Sequence, residues 1–206
     1  MRGSLRDQLG ERGFLAVYSL TSLATFAWFL AAYSASPMIG LWPPQQWTAL
    51  VPVSVMPLAT ILLVAGYSTR NPTAVGMERS ARADDPAPGI LSVTRHPVML
   101  AIGLWAVSHL IANGDLSSVL FFGLFAALAL GGTVLIDRKK KLALGSNWPR
   151  LTQVTSNVPF AALLAGRTKL RWRDIGILRI AAGLLLYTVL YLAHPKIAGV
   201  PVIVPQ

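Results

Sequence analysis

Apolar segments long enough to cross a membrane alternate with polar connections along the chain. A window of about 19 residues gives five such segments, which are Phe14–Tyr33, Trp47–Tyr67, Pro97–Ala112, Ser118–Ile136 and Ile175–Ala193. At about 1.5 Å per residue, each covers most or all of a hydrocarbon core about 30 Å thick, and the third covers it least well. The pattern predicts an all-α fold, a polytopic transmembrane helical bundle of about five spans, with residues 1–206 forming a single domain.

The composition agrees with a membrane protein. Hydrophobic residues make up 54% of the chain and charged residues only 13%, whereas about a quarter of a soluble domain is charged. The net charge of +10 would suggest nucleic-acid binding in a soluble protein, but this chain is too apolar for that, so we expect membrane lipids and no nucleic acid as partners. The absence of cysteine excludes disulfides, thiolate metal sites, iron–sulfur clusters and a cysteine nucleophile.

The distribution of basic residues predicts an orientation. The N-terminal segment, the 68–96 connection and the 137–174 segment carry three, four and nine of the 18 Lys and Arg residues. The opposite side carries one, Lys196, and Arg179 lies inside the fifth span. Because basic connections stay cytoplasmic, we expect the N-terminus in the cytoplasm and the C-terminus outside.

The connections carry further structural signals. Asn113-Gly114 predicts a tight turn, after which Asp115 or Ser117 can cap the fourth helix. The uncharged, Pro-rich stretch SASPMIGLWPPQQW is typical of an interfacial loop with tryptophan anchors. PFAALLAG is short and apolar, so we expect it to lie in the interface rather than to span the membrane.

Two groups of basic residues have simple structural interpretations. Arg179 lies near the start of the fifth span, from which it can extend to the cytoplasmic face; the alternative is a buried functional cation. The run from Lys139 to Lys141 is typical of a topology anchor that also attracts anionic lipid.

The candidate chemistry lies in the three histidines. An ionisable ring within a span is a functional hypothesis by default, and His109 is the histidine that lies well inside one. It is either a hydrogen-bonded packing residue or an axial ligand of haem iron.

His96 occupies a different position, at the start of the third helix. Pro97 suits the first helical turn, and the residue before a proline favours the extended geometry of an N-cap. Arg95, His96 and the helix N-terminus could therefore form a clamp for an anion or a cofactor propionate at the cytoplasmic side. The alternative is a capped helix start with a base at the interface.

The spacing of the histidines limits what they can share. His109 follows His96 by a distance of about 20 Å along a helix axis, so the two cannot ligate one metal, although they could contact opposite ends of a haem or of a lipid-like substrate. His194 ends the fifth span on the same side as His109. A site formed by His109 and His194 is geometrically allowed; otherwise His194 merely ends a helix.

The string RHPVMLAIGLWAVSHLIANGD resembles the signature of the NnrU family of bacterial membrane proteins. LGERGFLAVYSLTSLATFAW, the Asp137/Lys-Arg stretch and TSNVPFAALLAGR resemble other segments of that family, as does AHP around His194. The resemblance covers nearly the whole chain and places the protein in a bacterial inner (plasma) membrane as a multi-pass protein.

The resemblance also implies chemistry. The family is associated with nitrite and nitric oxide metabolism in denitrification, and it includes 15-cis-zeta-carotene isomerase, a haem b enzyme that isomerises a cis double bond without net redox change. It implies haem b as the cofactor and His109 as axial ligand and catalytic residue. His96 and His194 match other histidines of the family, and we expect Arg95, His96 and His194 to contribute further cofactor contacts. The protein would then be a haem-dependent cis–trans isomerase with an apolar substrate, or would act on a small nitrogen oxide.

The sequence departs from this family at its start. Family members begin with a further helix, carrying a second axial histidine, before the GER segment, whereas this sequence starts at MRGSLRDQLGERG. Either the start is truncated or this member lacks that ligand. The haem would then be five-coordinate, ligated by His109 with His194, or absent.

Two other function classes remain as alternatives. RHP at a helix start is also similar to isoprenylcysteine and phospholipid methyltransferases, which bind S-adenosylmethionine near a later acidic pair. Here DRKKKLALGSNW has lysines at that place, which argues against the methyltransferase. The third hypothesis is a non-enzymatic membrane factor that supports expression or assembly of nitric oxide reductase.

Overall fold

The computed structural model describes residues 2–43 and 45–202, with side chains described from residue 7 onward. These residues form eight α-helices and two short 3₁₀ helices, Glu78–Arg82 and Gly89–Ser92. The α-helices are α1 (Arg2–Ser34), α2 (Gln46–Ser68), α3 (Pro97–Ala112), α4 (Leu116–Leu144), α5 (Asn147–Val154), α6 (Ala161–Leu164), α7 (Trp172–Ile175) and α8 (Ile177–Ala198).

Four helical segments are long and apolar enough to cross a membrane: Asp7–Ser34 within α1, and helices α2, α4 and α8. Helix α3 is apolar but has only 16 residues, which is about 24 Å of helix. The prediction of a polytopic helical bundle is therefore confirmed, with four candidate spans and α3 as a shorter apolar helix.

The long helices pack in the order α1, α4, α3, α2, α8, so that α3 lies between α2 and α4. Small residues permit the close approaches. A Cβ atom added to Gly183 of α8 would lie 2.6 Å from Cα of Ile61 in α2, and one added to Gly103 of α3 would lie 2.5 Å from a methyl of Leu130 in α4. Such small-residue contacts are the usual means by which membrane helices associate.

Aromatic side chains attach α1 to α4. The ring of Tyr33 stacks on Phe121 with centroids 4.4 Å apart, and Phe29 stacks on the same ring at 5.1 Å. The Tyr33 hydroxyl also lies 2.9 Å from Oγ of Ser118. Most other side chains of α1 are exposed, as expected for a helix that faces lipid.

The turn before α4 joins two connections on one side of the bundle. Asp115 caps α4 by accepting a hydrogen bond from the Ser118 backbone N–H at 2.9 Å, which settles the choice between Asp115 and Ser117 in favour of Asp115. The Gly114 carbonyl accepts a bond of 2.7 Å from the Leu41 N–H. A Cβ at Gly114 would lie 2.1 Å from the Trp42 carbonyl oxygen, so this contact requires glycine.

On the opposite side, the 68–96 connection and the segment after α4 pack into a folded layer. Its buried apolar residues include Leu91, Leu151 and Ile175. Phe160 precedes the short helix α6 in a left-handed conformation, with φ of 65°. Leu164 of α6 is 87% exposed, and the interfacial position of this segment stays a prediction. The layer brings together most of the basic residues and holds the first of two candidate sites.

Candidate functional site

His96 and Arg95 meet the carboxylate of Asp137 where α3 begins. His96 is the N-cap of α3 and Pro97 its first residue, as predicted. Nε2 of His96 lies 2.8 Å from Oδ1 of Asp137, and Nη1 of Arg95 donates to Oδ2 at 2.7 Å. Because an ionised carboxylate only accepts hydrogen bonds, the proton between His96 and Asp137 lies on Nε2.

Arg95 is almost fully buried and joins several segments. Nε of Arg95 donates to Oγ1 of Thr155 at 3.0 Å, and its guanidinium carbon lies 4.9 Å from the centroid of the Trp148 ring. Its carbonyl accepts a bond of 3.0 Å from Nδ2 of Asn71. Burial lowers the pKa of Arg95, and the charge of Asp137 opposes that effect. An arginine stays protonated through such a shift, so this is a buried ion pair.

The Asp137 carboxylate occupies the position that an external anion would take in the predicted clamp. An external anion would have to compete with a carboxylate that is covalently part of the chain. The clamp function of Arg95 and His96 therefore stays a prediction. Asp137 was recognised in the sequence only as part of a family-like stretch; the signal that could have singled it out is a lone acid at the basic end of an apolar helix.

The second candidate site is a cavity of about 830 Å³ at the other end of the bundle. Helices α2, α3 and α8 and the segment 200–202 line it, and its walls are mostly apolar. His109 and His194 both line this cavity, with ring centroids 6.5 Å apart and ring planes inclined by 30°. The structure thus brings together the two histidines whose approach the topology allowed, and it keeps His96 at the far end of α3.

Backbone carbonyls orient both rings. Nδ1 of His109 lies 2.8 Å from the carbonyl oxygen of Trp105, and Nδ1 of His194 lies 2.9 Å from that of Val200. A carbonyl only accepts, so in each neutral imidazole the proton lies on Nδ1 and Nε2 keeps its lone pair. No hydrogen bond within the described part of the chain engages either Nε2 atom.

This arrangement is typical of histidines that ligate metals, whose second nitrogen commonly donates to a backbone carbonyl. Aromatic rings pack on His109: Trp105 at 5.7 Å and Phe122 at 5.3 Å between centroids. They hold the ring in place and shield it on that side. Within residues 2–43 and 45–202, no group of three or more His, Asp or Glu side chains is placed to hold a metal ion.

Arg179 reaches toward the basic side of the bundle. Its guanidinium donates to the carbonyl oxygens of Asp174 at 3.2 Å, Ile175 at 3.1 Å and Ser68 at 3.2 Å. The direction agrees with the extended side chain expected from the sequence. The Asp174 carboxylate instead pairs with Nε of Arg171 at 2.5 Å.

A family model described as NnrU protein matches residues 1–202. The chain belongs to the NnrU family. This NnrU-family chain is also 26% identical, over 214 aligned positions, to 15-cis-zeta-carotene isomerase, chloroplastic, of Arabidopsis thaliana. That alignment covers 95% of this chain and 56% of the relative, so the chain spans little more than half of its relative's length. No solved structure matches significantly.

Proposed function

We propose that this NnrU-family membrane protein binds haem b in the cavity lined by His109 and His194. The observation that carries the proposal is that both imidazoles line one apolar cavity with Nδ1 already engaged and Nε2 free. Haem iron takes neutral histidine nitrogen as an axial ligand. His109, packed against Trp105 and Phe122, would be the primary ligand, and His194 would be the second.

The dimensions are compatible with this assignment. A ligating imidazole nitrogen lies about 2 Å from its metal, so two rings with centroids 6.5 Å apart are near enough to share one iron. The cavity has room for a large apolar group, with Leu50, Val53 and Leu190 in its walls. When bound, haem would supply an iron centre that can polarise or exchange electrons with a substrate. The chain's own residues would orient that centre and keep water away from it.

The apolar lining of the histidine cavity indicates the class of substrate. A mostly apolar cavity lined by α2 and α8, which are long enough to cross a membrane, favours an apolar molecule that enters from the lipid. We propose cis–trans isomerisation of such a substrate as the reaction, which is the activity named for the Arabidopsis relative. Action on a small nitrogen oxide, linked to denitrification, is the second form of the proposal, and the bacterial inner membrane is the proposed location.

The arrangement on the basic side does not favour the methyltransferase alternative. The Asp137 carboxylate of α4 pairs internally with Arg95 and His96 at the start of α3. Lys140, from the stretch that replaces the acidic pair, donates to Glu78 at 2.5 Å and to the Ala74 carbonyl at 2.8 Å. No observation in the described ranges points to a site for S-adenosylmethionine.

Absorption spectra of the purified protein, before and after loading with haem b, test the proposal. We expect a Soret band that shifts on reduction, is lost or strongly weakened in His109→Ala, and changes position in His194→Ala because one axial ligand is removed. Tyr191→Phe, which alters the same cavity without removing a ligand, should leave the band unchanged. No Soret band after loading, or an identical band in His109→Ala, would reject haem binding at this site.

A further inference from the structure

A large basic cavity lies on the side of the bundle opposite the histidine pair. It has a volume of about 1180 Å³ and opens between the end of α2, the 3₁₀ helix Glu78–Arg82 and the start of α8. Five arginines and two aspartates line it. The cavity therefore carries an excess of three positive charges, and the proposed haem site makes no use of them.

The arginines of this cavity fall into two groups. Arg171 pairs with Asp85 and Asp174, and Arg179 donates to backbone carbonyls at the ends of α2 and α7. In contrast, Arg70, Arg79 and Arg82 make no hydrogen bond or ion pair within the described part of the chain, and all three are exposed at the cavity. Three guanidinium groups are thus free to bind an anion.

Thr69 gives an independent indication of a ligand. It lines the same cavity, is only 6% exposed, and its hydroxyl is a buried side-chain polar atom without a hydrogen-bond partner in the described chain. Buried polar groups nearly always have a partner, so an orphan of this kind calls for a water or a ligand at the site. A hydroxyl can donate to an anionic oxygen.

The position of the cavity indicates where the anion comes from. Ser68 is the last residue of α2 and Arg179 is the third of α8, so the cavity lies level with the ends of two membrane-spanning helices. The apolar side chains of Trp172, Ile177 and Leu178, each within two residues of Arg171 or Arg179 along the chain, are 69%, 76% and 80% exposed. Such side chains are expected to enter the lipid interface, at the depth of phospholipid headgroups.

We propose that this cavity binds a phosphate group, presented by the headgroup of an anionic phospholipid. The planar guanidinium matches phosphate oxygens with paired hydrogen bonds, and basic pockets between membrane helices on the cytoplasmic side are suited to such headgroups. Arg70, Arg79 and Arg82 contact the phosphate and Thr69 donates its hydroxyl. The site is separate from the histidine cavity and does not depend on haem.

Lipid titration of the detergent-purified protein, followed by native mass spectrometry, tests the proposal. We expect saturable binding of one phosphatidylglycerol and much weaker binding of phosphatidylcholine, which has no net charge. Arg79→Ala/Arg82→Ala should weaken phosphatidylglycerol binding by about tenfold or more. Thr69→Val, which keeps the shape and charge of the site, should weaken it roughly fivefold.

The matched control is Arg138→Ala/Arg173→Ala, which removes the same charge from two exposed arginines outside the cavity and should change the affinity less than twofold. If this control lost as much phosphatidylglycerol affinity as Arg79→Ala/Arg82→Ala, the effect would come from general surface charge, and the proposal would be overturned. Equal affinities for phosphatidylglycerol and phosphatidylcholine would also overturn the proposal. So would unchanged phosphatidylglycerol affinity in both the Thr69→Val variant and the Arg79→Ala/Arg82→Ala variant. Glycerol 3-phosphate binding as tightly as phosphatidylglycerol would reject the lipid as the source of the phosphate.

Discussion

Oδ1 of Asp137 lies 2.8 Å from Nε2 of His96, across the contact between α4 and the start of α3. The same carboxylate binds the guanidinium of Arg95, which is only 6% exposed, so one acidic side chain neutralises a deeply buried charge. This contact places the start of α3 against α4 and connects both to Thr155, beyond α5. Its first role is therefore to hold the layer of connections on the basic side to the bundle.

Removal of this carboxylate should destabilise the fold. In Asp137→Asn, the Arg95 guanidinium would stay buried without a counter-charge, which costs about 3 kcal/mol or more. We expect a clearly lower midpoint of thermal unfolding in detergent, while Asp84→Asn, a change at an exposed acid, should have little effect. Equal midpoints for both variants would show that the ion pair is not structural. In the proposed haem complex, the absorption spectrum of folded Asp137→Asn should match that of the wild type, because the histidine cavity lies at the other end of α3.

The neighbouring lysines of α4 should differ sharply in their importance. Lys140 is 6% exposed and donates to Glu78 and to the Ala74 carbonyl, whereas Lys139 and Lys141 are exposed. Lys140→Ala leaves the Ala74 carbonyl without its partner, which costs about 1–3 kcal/mol. Lys139→Ala and Lys141→Ala serve as controls in the same unfolding assay, and similar losses in all three variants would contradict the prediction.

Glu78 gives this pair a pH dependence. The hydrogen bond from Lys140 is the largest cause of a Glu78 pKa below its ordinary value of 4.5. Because the pKa of Glu78 is lower in the folded state than in the unfolded state, its ionised form stabilises the fold fully at pH values above the ordinary pKa. This stabilisation is lost as the pH falls through the pKa of the folded state. The stability difference between wild type and Glu78→Gln should therefore be constant near neutral pH and shrink below about pH 4.5. A difference that grows on acidification would refute this assignment.

Gly183 provides a test of the bundle order. Because a Cβ at this position would lie 2.6 Å from Cα of Ile61, Gly183→Ala should force α8 away from α2 and cost about 1–3 kcal/mol. Gly131 of α4 has no atom within 4 Å of its ideal Cβ, so Gly131→Ala should be neutral or slightly stabilising. Thermal unfolding of the two alanine variants compares them directly. Loss of stability only in Gly131→Ala would contradict the α2–α8 contact.

The spans could be predicted from sequence because lipid imposes length and apolarity on each segment separately. The sequence allowed His109 and His194 to lie close together, because the alternation of the spans places both toward the same side of the membrane. Their free Nε2 atoms were not foreseeable, because the carbonyls of Trp105 and Val200 depend on the local backbone. The role of Asp137 was missed for a related reason: its contact with Arg95 crosses 42 residues and depends on how α3 packs against α4.

The short segment after α8 should matter for the proposed haem site. The Val200 carbonyl orients His194, and residues 200–202 form part of the cavity wall. Deletion of residues 200–206 should therefore weaken haem binding by about 10–100-fold, as expected when a group that orients a metal ligand is removed. Deletion of residues 203–206 alone leaves Val200 in place and is the matched control. Absorbance titration of both truncated proteins with haem b measures the affinity, and equal affinities would show that the Val200 contact does not position His194.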